Sequence, residues 1–166
     1  MKQQTLLLLI PLFFLLISCG ESQDQAWLLA DQATDAMKDG DWRQAETLLA
    51  QAVEIDPGFA EAHIVRGCAL EQLKRTDDAR DAYLDALIIY DQRIQKKSRD
   101  FQIYINRAFL KLVMDDPAGM ENDLTLAIEH GLQPAVADVI RQNANQEVEN
   151  WRAGTPVISP NELAGR

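Results

Sequence analysis

The chain has 166 residues, 26 acidic and 16 basic, and a formal charge of −10 at neutral pH. With 47% hydrophobic residues it can bury the core of one domain. Such acidity argues against nucleic acid, which demands a basic face to displace counterions, and against lying flat on anionic headgroups.

In chain order, residues 1–18 read as an export signal. Lys2 supplies the positive start, and Leu6 to Ile17 is almost wholly apolar but too short for a comfortable membrane span. The run ends in Leu16-Ile17-Ser18-Cys19, which looks like a bacterial lipobox. That resemblance implies cleavage before Cys19, a thioether from its thiol to diacylglycerol, and acylation of the new amine. An ordinary secretory signal and an uncleaved anchor are the alternatives. Acylation would anchor the chain stably, since each buried methylene contributes about 0.8 kcal/mol. Gly20, rather than Asp, follows the Cys. By the same resemblance this implies the periplasmic face of the outer membrane. Cleavage removes Lys2 and leaves 148 residues at a formal charge of −11. Residues 19–25 are then the lipidated terminus and a short polar linker, reaching roughly 20 Å.

Residues 26–131 carry three helical hairpins, at 26–59, 60–100 and 101–131. The first is Ala26–Asp39 and Asp41–Ile55, with Asp41 as a cap, Gln44 reaching back to it, and Pro57 able to begin the next helix behind Asp56. The second is Phe59–Leu73 and Asp77–Gln92, capped by Thr76. The third is Phe101–Met114 and Pro117–His130, with Asp116 as cap and Gly131 closing it. Ile94 to Asp100 lengthens the second copy and, with Arg93, gathers Lys96, Lys97 and Arg99. A lengthened helix whose cations suit its C-terminal dipole explains them, and a basic knob for an acidic partner is the functional alternative. Pro134 to about Asn150 forms a seventh helix, with Val136, Val139 and Ile140 as its apolar stripe. Residues 132–150 are expected to cap the stack, and 151–166 to form an irregular tail.

The second helices share a pattern. Ala45, Leu49 and Ala52 recur as Ala79, Tyr83 and Ala86 after 34 residues, and as Met120, Leu124 and Ala127 after 41 more. This resembles the tetratricopeptide repeat. The first copy has Ala33, Gly40, Trp42, Ala45, Ala52 and Pro57 at family positions. The second keeps Gly67, Ala79, Tyr83 and Ala86 but has Asp91 where Pro usually stands. The third keeps Tyr104, Asn106-Arg107-Ala108, Leu124 and Ala127. The fold expected is therefore all-α, a solenoid of three hairpins with a C-terminal capping helix.

The resemblance implies that first helices line a concave groove for a peptide or amphipathic helix. Carried over residue by residue, that groove holds Trp27, Thr34, Glu61, Ile64, Cys68, Gln102, Ile105 and Phe109. Ala30, Thr34 and Val65 stand where chaperone-binding members place a carboxylate clamp, so that mode is disfavoured. Periodicity leaves open whether the helix at 134–150 fills the groove. With Cys19 lipidated, Cys68 is the one remaining thiol, cannot form an internal disulfide, and reads as a small buried residue.

Catalytic signals are weak. His63 and His130 sit on different repeats without ligand spacing, His63 reading as a packed residue. Asp77-Asp78 and Asp115-Asp116 fall at helix starts, where capping explains them. Neither a phosphate loop, a metal pattern nor a nucleophile elbow is present. The expectation is a non-enzymatic adaptor or scaffold without cofactor or metal, anchored to the membrane through lipid and binding a protein partner. Its likeness to lipoprotein pilotins, which escort secretin subunits of pili or secretion systems, gives the alternative. A scaffold for murein hydrolases or proteases is a further one.

Overall fold

A computed structural model describes residues 9–96 and 99–152. Within these residues every regular element is helical: α1 (Leu9–Lys38), α2 (Trp42–Ile55), α3 (Ala60–Gln72), α4 (Thr76–Gln95), α5 (Phe101–Val113), α6 (Pro117–Glu129) and α7 (Pro134–Arg152). The chain is an all-α solenoid of three hairpins and a capping helix. Residues 1–8, 97–98 and the tail from 153 onward lie outside the described residues.

The three hairpin turns are one structure repeated. Gly40, Lys74 and Asp115 hold φ of 77°, 63° and 61°, the left-handed region, each the second residue past the end of α1, α3 or α5. In each turn the next residue donates its amide to a carbonyl five positions back. Asp41 bonds Ala36 at 2.8 Å, Arg75 bonds Leu70 at 2.9 Å, and Asp116 bonds Lys111 at 2.8 Å. Such closures satisfy carbonyls that a helix end would otherwise leave open.

Helix starts differ in detail from the sequence reading. Asp41 and Asp116 do cap, accepting the amides of Gln44 at 3.0 Å and Gly119 at 2.8 Å. Thr76 does not cap α4; it is the first helical residue, behind Arg75. Pro57 does not open α3, because the Asp56 carboxylate takes the Gly58 amide at 2.9 Å and bends the chain into a turn before Phe59. At the other extreme α1 begins at Leu9, so residues 20–25, expected as a linker, are helical. Gly20 is the weakest helix former among these residues, at a cost of about 1 kcal/mol relative to Ala. Among the described residues no helix is long and apolar enough to cross a membrane.

Small residues let the helices nest. Ala26, Ala33 and Ala36 of α1 meet Ala45, Leu49 and Ala52 of α2, and Ala62, Cys68 and Ala69 of α3 close the same cluster. The next cluster joins Ile64 and Leu70 of α3 and Tyr83, Ala86 and Tyr90 of α4 to Ala108, Leu112 and Leu124 of the third hairpin. Burial at about 25 cal/mol per Å² of apolar surface drives this stacking, since a lone hairpin leaves one face wet. Hairpins meet α2 on α3 and α4 on α5, the second joint less extensively. That joint follows the seven added residues.

Equivalent arginines fasten both joints. Arg66 of α3 reaches back to Glu46 of α2 at 3.1 Å, and Arg107 of α5 reaches back to Asp91 of α4 at 2.6 Å. Each precedes the small residue, Gly67 or Ala108, at which its hairpin nests.

The capping helix divides into two halves. Val136, Ala137 and Ile140 pack on Tyr104, Ile105 and Ala127, so the first half covers the end of the third hairpin. Arg141 adds a bond to Glu121 of α6 at 2.8 Å. The second half then crosses α5 toward α3, where Ala144 and Val148 join the cluster containing Ile64 and Leu112.

Candidate protein-interaction face

The first helices α1, α3 and α5 carry the residues assigned to the groove, and α7 decides which of them a partner can reach. Ile64 is buried with Val148, and Ile105 is buried with Ala137. Cys68 is fully buried among the alanines of the first joint. These three residues are core in this structure, not free anchors, because α7 or a neighbouring hairpin already covers them. Phe109 is half-buried against the same cluster as Ile64.

The polar groove residues are likewise engaged. Thr34 donates its hydroxyl to the Ala30 carbonyl at 3.0 Å, within its own helix. Gln102 donates from Nε2 to Asn106 Oδ1 at 3.1 Å. Glu61 accepts from Tyr90 Oη at 3.2 Å and pairs with Arg93 at 3.4 Å. Arg93 also donates to the Gly58 carbonyl at 2.8 Å, so it clasps the second hairpin and is no part of a basic knob. Lys96 and Arg99 remain exposed beside it.

Trp27 stands apart from the rest. It is 60% exposed, and its neighbour Leu28 is 56% exposed. The Trp27 ring rests on Phe59, centroids 4.4 Å apart and planes 43° inclined. Aromatic rings with one wet face are a usual feature of interaction surfaces. Of the residues assigned to the groove, Ile64 and Ile105 are thus covered by α7, whereas Trp27 on α1 is open to solvent.

The histidines stay separate. His63 is buried, with Nε2 3.3 Å from the Pro57 carbonyl and Nδ1 3.7 Å from Asp85. His130 stacks on Tyr104 at 4.7 Å. Among the described residues no group of His, Cys, Asp or Glu could hold a metal ion.

The sequence reading missed the densest polar cluster. Asp123 of α6 is fully buried and takes a two-pronged bond from Arg107, with Lys111 Nζ at 3.0 Å. Burial would lower the Arg107 pKa, but the bonds to Asp123 and Asp91 more than offset it and the net shift is upward. The cluster is a joint in which every charge has a partner, so it explains itself structurally. Its one visible signal was Asp91, the residue at odds with the repeat pattern.

Three turns, three nested hairpins and the paired small residues are the setting in which part of the chain is similar to a known family. Residues 30–94 match the tetratricopeptide repeat. The match covers most of the first two hairpins; the third lies beyond it and repeats their geometry. No curated protein matches the chain. Tetratricopeptide repeats indicate a role in protein–protein contact and generally serve as adaptors without catalysis.

Proposed function

We propose that this chain is an adaptor held by an acylated Cys19 at the periplasmic face of the outer membrane, where it binds a protein partner. One observation carries the adaptor reading: the inner face of α3 and α5 already receives a helix, the second half of α7. A surface that seats one amphipathic helix has the shape and apolarity to seat another. Trp27, exposed on α1 against Phe59, extends that face toward the tethered end of the chain. The anchor rests on the lipobox-like Leu16-Ile17-Ser18-Cys19.

Both parts are testable in intact envelopes. Cys19→Ser should release the protein into the soluble periplasmic fraction and abolish labelling by radioactive palmitate; retention in the outer membrane sinks the anchor. A photo-crosslinker at position 28 should give a discrete protein adduct that Trp27→Glu removes. An adduct pattern unchanged by Trp27→Glu sinks the inner-face reading. The pilotin-like form of the proposal is sharper still. It requires that deletion of the chain reduce the number of assembled secretin multimers.

A further inference from the structure

The two halves of α7 are held differently. The first half carries Val136, Ala137 and Ile140 in the cluster with Tyr104 and Ala127, and Arg141 pairs with Glu121. The second half reaches the α3–α5 cluster through Ala144 and Val148, two small side chains one turn apart. The rest of that half is polar: Asn143, Asn145, Gln146 and Glu149 are exposed, and Gln146 bonds Asn150 within the helix itself. That half also carries Glu147 and Glu149, and α3, which it crosses, carries Glu61 and Glu71, so like charges share this face. A weakly held segment with the wrong sign of charge is the kind that opens locally while the rest of a fold stays intact.

We propose that residues 143–150 are a displaceable occupant of the inner face, and that what displaces them is a cationic amphipathic helix. The displacing helix would present small or β-branched apolar residues four apart, as Ala144 and Val148 are, on an otherwise basic helix. Small residues match the site because Ala144 and Val148 are both buried in the α3–α5 cluster. Positive charge is required to exploit the acidity that α7 cannot. The first half of α7 stays as the cap, so the third hairpin keeps its cover while the groove opens. The occupied state then lowers the apparent affinity of any partner by the fraction of molecules in which the groove is closed. This inference deepens the adaptor reading and rests on it.

Hydrogen exchange on the full mature chain tests the idea without altering it. The probe is a synthetic peptide copying residues 136–152 with Asp138→Lys, Glu147→Lys and Glu149→Lys. At saturation it should speed exchange of the amides at 143–150 about tenfold or more, while those of α3 and α5 hold or slow. A control peptide with Ala144→Asp and Val148→Asp added should have no effect. Val148→Asp in the chain should raise affinity for the probe about tenfold. Unchanged exchange at 143–150 under saturating probe overturns the proposal, as does an equal effect of the control peptide. The adaptor reading fails separately, when position 28 yields no protein adduct in envelopes, and that result leaves the response of α7 to the probe unaffected.

Discussion

Gly67 of α3 lies directly beneath the ring of Tyr83 on α4, so close that a methyl group at residue 67 would sit 2.2 Å from Cε1. The corresponding pairs in the other hairpins are Ala33 with Leu49 and Ala108 with Leu124, each sharing one core cluster. The second hairpin therefore accommodates a larger residue by giving up the smaller partner's only carbon. Gly67→Ala should destabilise by about 1–3 kcal/mol through overpacking. In a Tyr83→Leu background the same change should have the opposite sign. It would then restore the Ala/Leu pairing of the neighbours and gain up to about 1 kcal/mol of helix propensity. Denaturant midpoints of the four proteins decide this, and a Gly67→Ala effect that is the same in both backgrounds refutes it.

The Arg107–Asp123 pair supports a second prediction. Arg107→Ala leaves a fully buried carboxylate with Lys111 as its remaining cation and should cost about 3–5 kcal/mol. Replacing both members, Arg107→Leu with Asp123→Leu, should cost less than Arg107→Ala alone, because no buried charge is then stranded. Lys111 can extend its stem and carry its ammonium to water. Thermal unfolding of the two variants measures the difference; a double replacement worse than the single would mean that the pair contributes more than neutralisation.

How much of this was legible follows from where the determining contacts are local. The hairpin turns, the caps at Asp41 and Asp116 and the stacking alanines are written in short-range spacing and stand in the structure as read, whereas α1 starts at Leu9 and not at Ala26. The caps assigned to Thr76 and Asp56 went astray because a residue suited to capping also suits the first turn or a tight bend, and the choice depends on the preceding hairpin turn. The groove was half legible. Repeat positions named Ile64, Cys68 and Ile105, but whether they face a partner depends on where α7 travels after Gly131, a long-range packing choice that periodicity does not encode. The Arg107–Asp123 bond spans 16 residues and two helices, and nothing in either helix alone marks it.

The hairpin turns yield a third prediction. Lys74 and Asp115 occupy the left-handed conformation that Gly40 supplies without strain. Lys74→Gly and Asp115→Gly should each stabilise by about 0.5–1 kcal/mol, the relief of backbone strain exceeding the added freedom of the unfolded chain. Gly40→Ala should lose about 1 kcal/mol at the equivalent site. Calorimetric midpoints of the three variants test the equivalence of the turns directly. A loss of stability in both glycine variants would contradict it.

The last prediction concerns pH and comes from Cys68. Burial, with Glu71 adding to it, pushes the thiol up to about 12 from an ordinary 9.0. Between those values the native thiol keeps its proton while the unfolded one releases it, so unfolding liberates a proton and stability falls as pH rises. The contribution is fully present below pH 9 and is lost at about 1.4 kcal/mol per pH unit on the way to 12. Tyr90 acts in the same direction, its phenol pushed up by burial and by Glu61. The two are separable by variant. Cys68→Ala should flatten the alkaline fall from pH 9 upward, whereas Tyr90→Phe should flatten it from about pH 10. At pH 8 the native thiol should react with a disulfide reagent only as fast as the first joint opens, and about as fast as a free thiol once denaturant is added. Rapid labelling of the folded protein, or an alkaline stability curve that Cys68→Ala does not change, would show that the thiol is not sealed between α1, α2 and α3.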